Sequence, residues 1–195
     1  MEGMIYRKKI FTSLDVKGKD FEEDTFINCK FTSVLFHFVN FTGCKFNMCD
    51  FTRSTFELTS FSNCLFPESK LSGIDFSDVK IEKCNFSKSI MEECWFQELQ
   101  AGTKTERKTK NLKGCFFESA NLKRTMFEKC DLKSVSFYGS DLEEANFDKC
   151  NLENTDFTGA TMLKVGFPES YIKDTYLDGQ GFLSFGYSQG FSLKS

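Results

Sequence analysis

Large apolar residues recur at every fifth position along most of the chain. Starting from Phe21, the step of five lands on Phe26, Phe31, Phe36, Phe41, Phe46, Phe51, Phe56, Phe61, Phe66, Leu71, Phe76, Ile81, Phe86, Met91 and Phe96. After a break the ladder resumes at Leu112 and runs through Phe117, Leu122, Phe127 and onward to Leu177, shifted by one residue. A period of five suits neither regular element. Residues five apart diverge by about 140° on an α-helix and point to opposite faces of a straight strand. The phase must therefore be reset in every pentad, by a short extended piece that ends in a sharp corner. In such a piece the residue two before the central one also points inward, and it is small almost throughout: Cys29, Val34, Val39, Cys44, Cys49, Ser54 and Thr59, then Cys115, Ala120, Thr125 and Cys130. Ile74 is the bulky member of the set. Four corners close a square, so about 20 residues make one coil and stacked coils pair their backbones at about 4.8 Å. The pentads from Phe21 to Leu177 predict seven to eight coils, a rod on the order of 35 Å long, with residues 20 apart stacked into aromatic columns.

The segments SANLKR, KCDLKS, GSDLEE, KCNLEN and NTDFTG read as A(D/N)LXX repeats. This pattern resembles the pentapeptide-repeat family, and the resemblance covers Phe21 to Leu177. It implies an all-β fold, a right-handed quadrilateral parallel β-helix. The expected layout is an N-terminal cap over residues 1–20, the repeat solenoid over 21–177 with a projecting loop at about 102–110, and a C-terminal cap or dimerisation tail over 178–195.

Composition narrows the function. The chain holds 25 Phe in 195 residues and a formal charge of -3, which favours neither non-specific nucleic-acid binding nor a strongly acidic surface. No uninterrupted apolar stretch reaches the roughly 18 residues of a spanning helix, and the N-terminus has no apolar leader, so a cytoplasmic protein is expected. All nine cysteines occupy the small inward position, which makes them packing residues rather than disulfide partners or metal ligands. His37, the sole histidine, reads as a surface residue with no nucleophile or acid beside it in sequence. Phosphate loops, zinc-ligand spacings and nucleophile elbows are absent from the sequence. Regular β-helix faces also provide no cleft to separate the pKa values of two carboxylates. Enzymatic activity, a catalytic site, a metal and a cofactor are accordingly not expected.

The binding candidates lie at the interruption and the ends. Residues 97–111 break the ladder, and 102–110 carry Lys104, Arg107, Lys108 and Lys110 against Glu106 with no apolar anchor, so a mobile basic loop is expected. Trp95 and Phe116 stand just outside the core positions on either side of it. Loops on rigid scaffolds and exposed aromatics near Arg are interface-rich features, making Trp95, Lys104, Glu106, Arg107, Lys108 and Phe116 the candidate partner-binding residues. Met4, Ile5, Tyr6 and Ile10 are candidates to cover the first coil. Phe182, Phe185, Tyr187 and Phe191 would either cover the last coil or pair with a second copy. The glycine-containing tail reads as departing from the helical dimerisation segment of several family members. Family resemblance further implies Qnr-type binding of DNA gyrase or topoisomerase IV, giving protection from quinolones with partial imitation of DNA. Residues 141–178, with nine acids against three lysines, are the stretch that could carry such imitation. A scaffold for some other cytoplasmic protein is the first reading and the topoisomerase function its alternative; direct nucleic-acid binding through four loop cations is the weakest.

Overall fold

A computed structural model describes residues 3–99 and 107–194. Each pentad is a short extended piece, a two- to four-residue strand or a single bridge, followed by a corner, and the residue two after most core side chains takes a positive φ. Asn28, Ser33, Met48 and Arg53 hold this conformation at φ of 52, 59, 52 and 61°. A non-glycine residue there costs about 1–2 kcal/mol, which the paired backbone offsets. Gly43 and Gly139 occupy the same position at φ of 65 and 64° without that cost.

The coils stack in parallel with a constant register. Phe26 pairs with Phe46, Phe36 with Phe56 and Phe41 with Phe61, each 20 residues on. Four inward columns result. One runs Tyr6, Phe26, Phe46, Phe66, Phe86, Phe117, Phe137 and Phe157, with successive ring centroids 4.8–5.3 Å apart. The opposite column contains Phe56, Phe76, Phe96, Phe127 and Phe147, and its rings meet those of the first edge-on, as Phe96 meets Phe117 at 5.7 Å and 86°. Offset-parallel contact along a column and edge contact across it are the two arrangements that ring quadrupoles favour.

The small inward residues have a second use. Their thiols and hydroxyls donate to the carbonyl 23 positions earlier: Cys49 to Phe26, Ser54 to Phe31, Cys64 to Phe41, Ser69 to Phe46, Cys150 to Phe127. All nine cysteines are buried and free. Burial pushes the thiols of Cys49, Cys94 and Cys115 up to about 12.

At the start, Ile5–Arg7 already pairs with Thr25–Ile27, and Phe11 stacks on Phe31 at 4.6 Å, so the segment expected as a cap supplies part of a coil. Helix α1 (Ser13–Val16) replaces its third face and buries Val16. Tyr6 packs against the core as expected, but Met4, Ile5 and Ile10 point outward. At the far end the tail is helical after all. Helix α2 (Gly179–Ser188) is capped by Asp178, whose Oδ1 accepts from the Gly181 N–H at 2.6 Å and Oδ2 from Gly159 at 2.8 Å. The cap at Gly181, the tie of Asp178 to Gly159 and the packing of Phe185 on Phe167 together hold the helix against the low propensity of Gly179, Gly181 and Gly186. Among the described residues no helix is long and apolar enough to cross a membrane.

Candidate interaction site

One face of the rod is interrupted. On the other three faces the rungs cross the interruption with a step of 31 instead of 20, joining Asn85 to Phe116, Ile90 to Asn121, and Trp95 to Met126. The insertion therefore adds 11 residues to one coil and leaves its neighbours in register. Where the chain departs, Glu98–Leu99 and Arg107–Lys108 pair antiparallel as the stem of a hairpin. Lys104 and Glu106, two of the expected contact residues, lie outside the described residues, as does Ala101. Lys108 is exposed on the stem.

Lys110 was expected in the mobile loop and is instead in the core, 3% exposed. It occupies the small inward position of the column Thr59, Val79, Lys110, Cys130 and Cys150, and pairs with Cys130. Its Nζ donates to the carbonyls of Phe76 and Val79, both at 2.8 Å. Desolvation lowers its pKa from the ordinary value, against the opposing carboxylate charges of Glu98 and Asp75. No sequence rule placed a lysine in a cysteine slot; the signal was its position two before Leu112.

Below Lys110 the ladder is open among the described residues, where Val79–Glu82 pairs as a strand with Thr59–Ser62 beneath it and Lys110–Asn111 with Cys130–Asp131 above. Between the two edges lies a cleft of about 480 Å³ lined by Ser77, Asp78, Lys80, Glu82, Glu98, Lys108 and Lys113.

Trp95 and Phe116 are 46% and 45% exposed. They do not form one patch. Each precedes a core ring on an opposite face of the square, Phe96 and Phe117, so the two side chains point away from each other with the hairpin face between them.

Across the remaining surface the stacking by 20 joins charges distant in sequence. His37 Nδ1 lies 2.8 Å from Glu57 Oε2, an acid that only the coil length reveals. The acidic segment is largely neutralised: Lys123 meets Asp141 and Glu143 at 3.2 and 2.8 Å, Lys164 meets Glu144 at 2.8 Å, Lys133 meets Glu153 at 2.6 Å, and Lys149 meets Asp148 and Glu169 at 3.8 and 3.6 Å. Asp156 and Asp178 are spent on backbone N–H groups. Among the described residues no group of three or more His, Cys, Asp or Glu could hold a metal ion.

The tail divides its aromatics. Phe185 caps the core, 5.5 Å from Phe167. Phe182, Tyr187 and Phe191 remain exposed and, with Leu183 and Leu193, line an apolar groove of about 310 Å³. A second, larger opening of about 800 Å³ lies where α2 incompletely covers Phe157, Phe167 and Ile172.

These features define a quadrilateral parallel β-solenoid with one hairpin insertion and a helical end piece. Family models describe residues 25–57 and 58–96 as pentapeptide repeats and residues 110–181 as a pentapeptide repeat region, and the chain belongs to the pentapeptide-repeat family. Among solved structures it is similar to full-length QnrB1, a plasmid-mediated fluoroquinolone resistance protein, with a TM-score of 0.74 at 17% identity over 98% of this chain and 99% of that one. Two trypsin-treated forms of the same protein match with TM-scores of 0.73 and 0.72 at 16% identity, over 99% and 100% of this chain and 100% and 99% of theirs. A comparison with curated proteins finds no match.

Proposed function

We propose that this chain is a non-enzymatic scaffold that binds a protein partner through the hairpin-bearing face. The observation that carries the reading is the confinement of the insertion. Three faces run unbroken past it, so the hairpin is an addition the fold does not need, set on a rigid support. Loops so placed are where binding concentrates. The regular faces hold their carboxylates in ion pairs with lysines, not in a water-excluding cleft, which speaks against general acid–base chemistry.

The end-to-end likeness to QnrB1 favours a second reading, binding of DNA gyrase or topoisomerase IV with protection from quinolones. Contact through the hairpin suits this better than imitation of DNA. Duplex DNA carries about 20 charges over a rod of this length, whereas most acids of residues 141–178 here are paired with lysines or backbone N–H groups. Supercoiling by gyrase in the presence of ciprofloxacin, with and without the protein, tests it. The control lacks residues 99–109, which restores the 20-residue step and keeps Lys110 in place. Rescue by the intact chain alone supports topoisomerase protection; no rescue and no inhibition at micromolar protein excludes it. The scaffold reading is then carried by cross-linked partner capture that the deletion abolishes, and capture that survives the deletion refutes the hairpin as the contact.

The apolar face of α2 supports pairing with a second copy. Phe182, Tyr187 and Phe191 would be buried in a symmetric contact of the kind that small dimers use. Sedimentation of the intact chain and of a Tyr187→Asp variant checks this, with a monomeric intact chain as the refuting outcome.

A further inference from the structure

Lys110 sits in a slot that every neighbouring coil fills with a short side chain. Where that side chain is polar, its hydroxyl or thiol reaches the carbonyl 23 positions earlier, as Thr59 reaches Phe36, Cys150 reaches Phe127 and Ser170 reaches Phe147, whereas Val79 directly below offers no donor. Lys110 bonds Phe76, which is the same carbonyl once the 11 inserted residues are counted. It also bonds Val79, whose carbonyl lies on the open edge that the departing chain leaves behind. A short side chain serves where rungs close at about 4.8 Å; this slot borders the open cleft, and the longer lysine spans it.

The cleft does not admit a partner strand. Insertion of a strand between two edges needs two rung spacings, about 9.6 Å, and the adjoining faces hold these coils at one spacing, with Phe76 and Phe96 stacked at 4.7 Å. The opening is therefore bridged from within. We infer that Lys110 is a positioning residue, a strut whose two hydrogen bonds across the open rung hold the hairpin stem at a fixed height and angle on its face.

The strut acts on the stem because the chain runs from Lys108 to Lys110 in two residues, and Lys108 is paired with Glu98. With the amine fixed to Phe76 and Val79, the returning strand cannot slide towards Val79–Glu82 to close the ladder. Without it, two outcomes compete: collapse of the open rung, or fraying of the stem. Either changes how the hairpin is presented. Glu98 and Asp75 supply the carboxylate charge around the amine, so the lysine is not an isolated buried cation.

The inference deepens the reading of the hairpin as the partner contact and rests on it for its consequence in binding. Amide exchange needs no partner and reports the strut by itself, so failure of that reading and failure of the strut are distinguishable. The test is native-state exchange on the full chain, comparing the wild type with Lys110→Met, which keeps length and loses the donors, and with Lys110→Cys, which supplies the side chain of Cys130. Amides of Glu98, Leu99, Arg107 and Lys108 should lose protection roughly tenfold or more in Lys110→Met, while those of Phe86 and Met91 on the continuous faces keep theirs. In Lys110→Cys, new protection at Asn111 would report closure of the rung. Stem protection within about twofold of wild type in both variants overturns the strut. An equal loss at Phe86 and Met91 overturns it too, because Lys110 would then hold the whole rod and not the stem.

Discussion

Phe46 offers the sharpest test of the ring columns. Its ring is fully buried, stacked between Phe26 at 4.8 Å and Phe66 at 5.0 Å, and touched edge-on by Phe41 and Phe51 at 5.2 and 5.3 Å. Core Phe→Ala substitutions cost about 3–5 kcal/mol, more where the cavity cannot collapse. Here the cavity is walled by paired backbone on one side and rings on the others, so Phe46→Ala belongs at the upper end, about 5 kcal/mol. Phe46→Leu keeps most of the volume, as Leu112 and Leu132 show in a neighbouring column, and loses mainly the ring geometry. Aromatic pairs add about 0.5–1.5 kcal/mol each beyond area; with the leucine still packed, about 2 kcal/mol is expected. For a chain of this size the two changes correspond to Tm decreases of about 10–20 °C and about 4–8 °C. Urea unfolding followed by far-UV circular dichroism measures both, and a smaller m for Phe46→Ala would signal that the N-terminal coils have been shed as a unit. Alanine and leucine variants within about 1 kcal/mol of each other would refute a close-packed column at this position.

Three further outcomes follow from the site and the ends. The nine buried thiols, with Cys49, Cys94 and Cys115 pushed up to about 12 by burial, should resist an aromatic disulfide reagent in the native chain and all react in guanidinium; fast native reaction of even one would contradict the burial. The Asp15 carboxylate accepts from the hydroxyl and N–H of Thr12 at 2.7 and 2.8 Å, and these bonds, with Lys9, lower its pKa to about 2. Its folded value lies below the ordinary 3.8, so its contribution to α1 is complete above that pH and is lost as pH falls through about 2; Asp15→Asn should flatten that limb in an acid titration of α1 amide exchange, and an unchanged titration would count against it. Asp178→Ala should fray α2 and expose Phe167 through loss of Phe185, seen as raised amide exchange over 181–186; retained protection there would remove Asp178 as the cap.

The columns, the coil length and the inward place of the cysteines were legible because each follows from a period repeated dozens of times. What the sequence hid was each feature that occurs once. Lys110 was read as loop because a cation in a basic run looks solvated, and only its distance from Leu112 says otherwise. Helix α2 was missed because three glycines weigh more in a propensity argument than a single Asp178 cap. The His37–Glu57 contact needed the coil length applied to a histidine that stands alone in sequence. Trp95 and Phe116 flank the insertion in sequence but face opposite ways, since the chain turns two corners between their faces.

The constant separation of each rung has a consequence for how the rod is made. Nearly every rung sets residues 20 apart in register, as in Phe26 with Phe46 and Phe127 with Phe147, so the chain never waits for a distant partner. At a synthesis rate of about 5–20 residues per second, one coil emerges every one to four seconds, slow against rung formation. Each finished coil is then a template presented to the next, and assembly can advance in step with the ribosome. The one delay falls at the insertion, where 31 residues must emerge before the rung above Asn85 can close; until then the half-built rod ends in an uncovered edge.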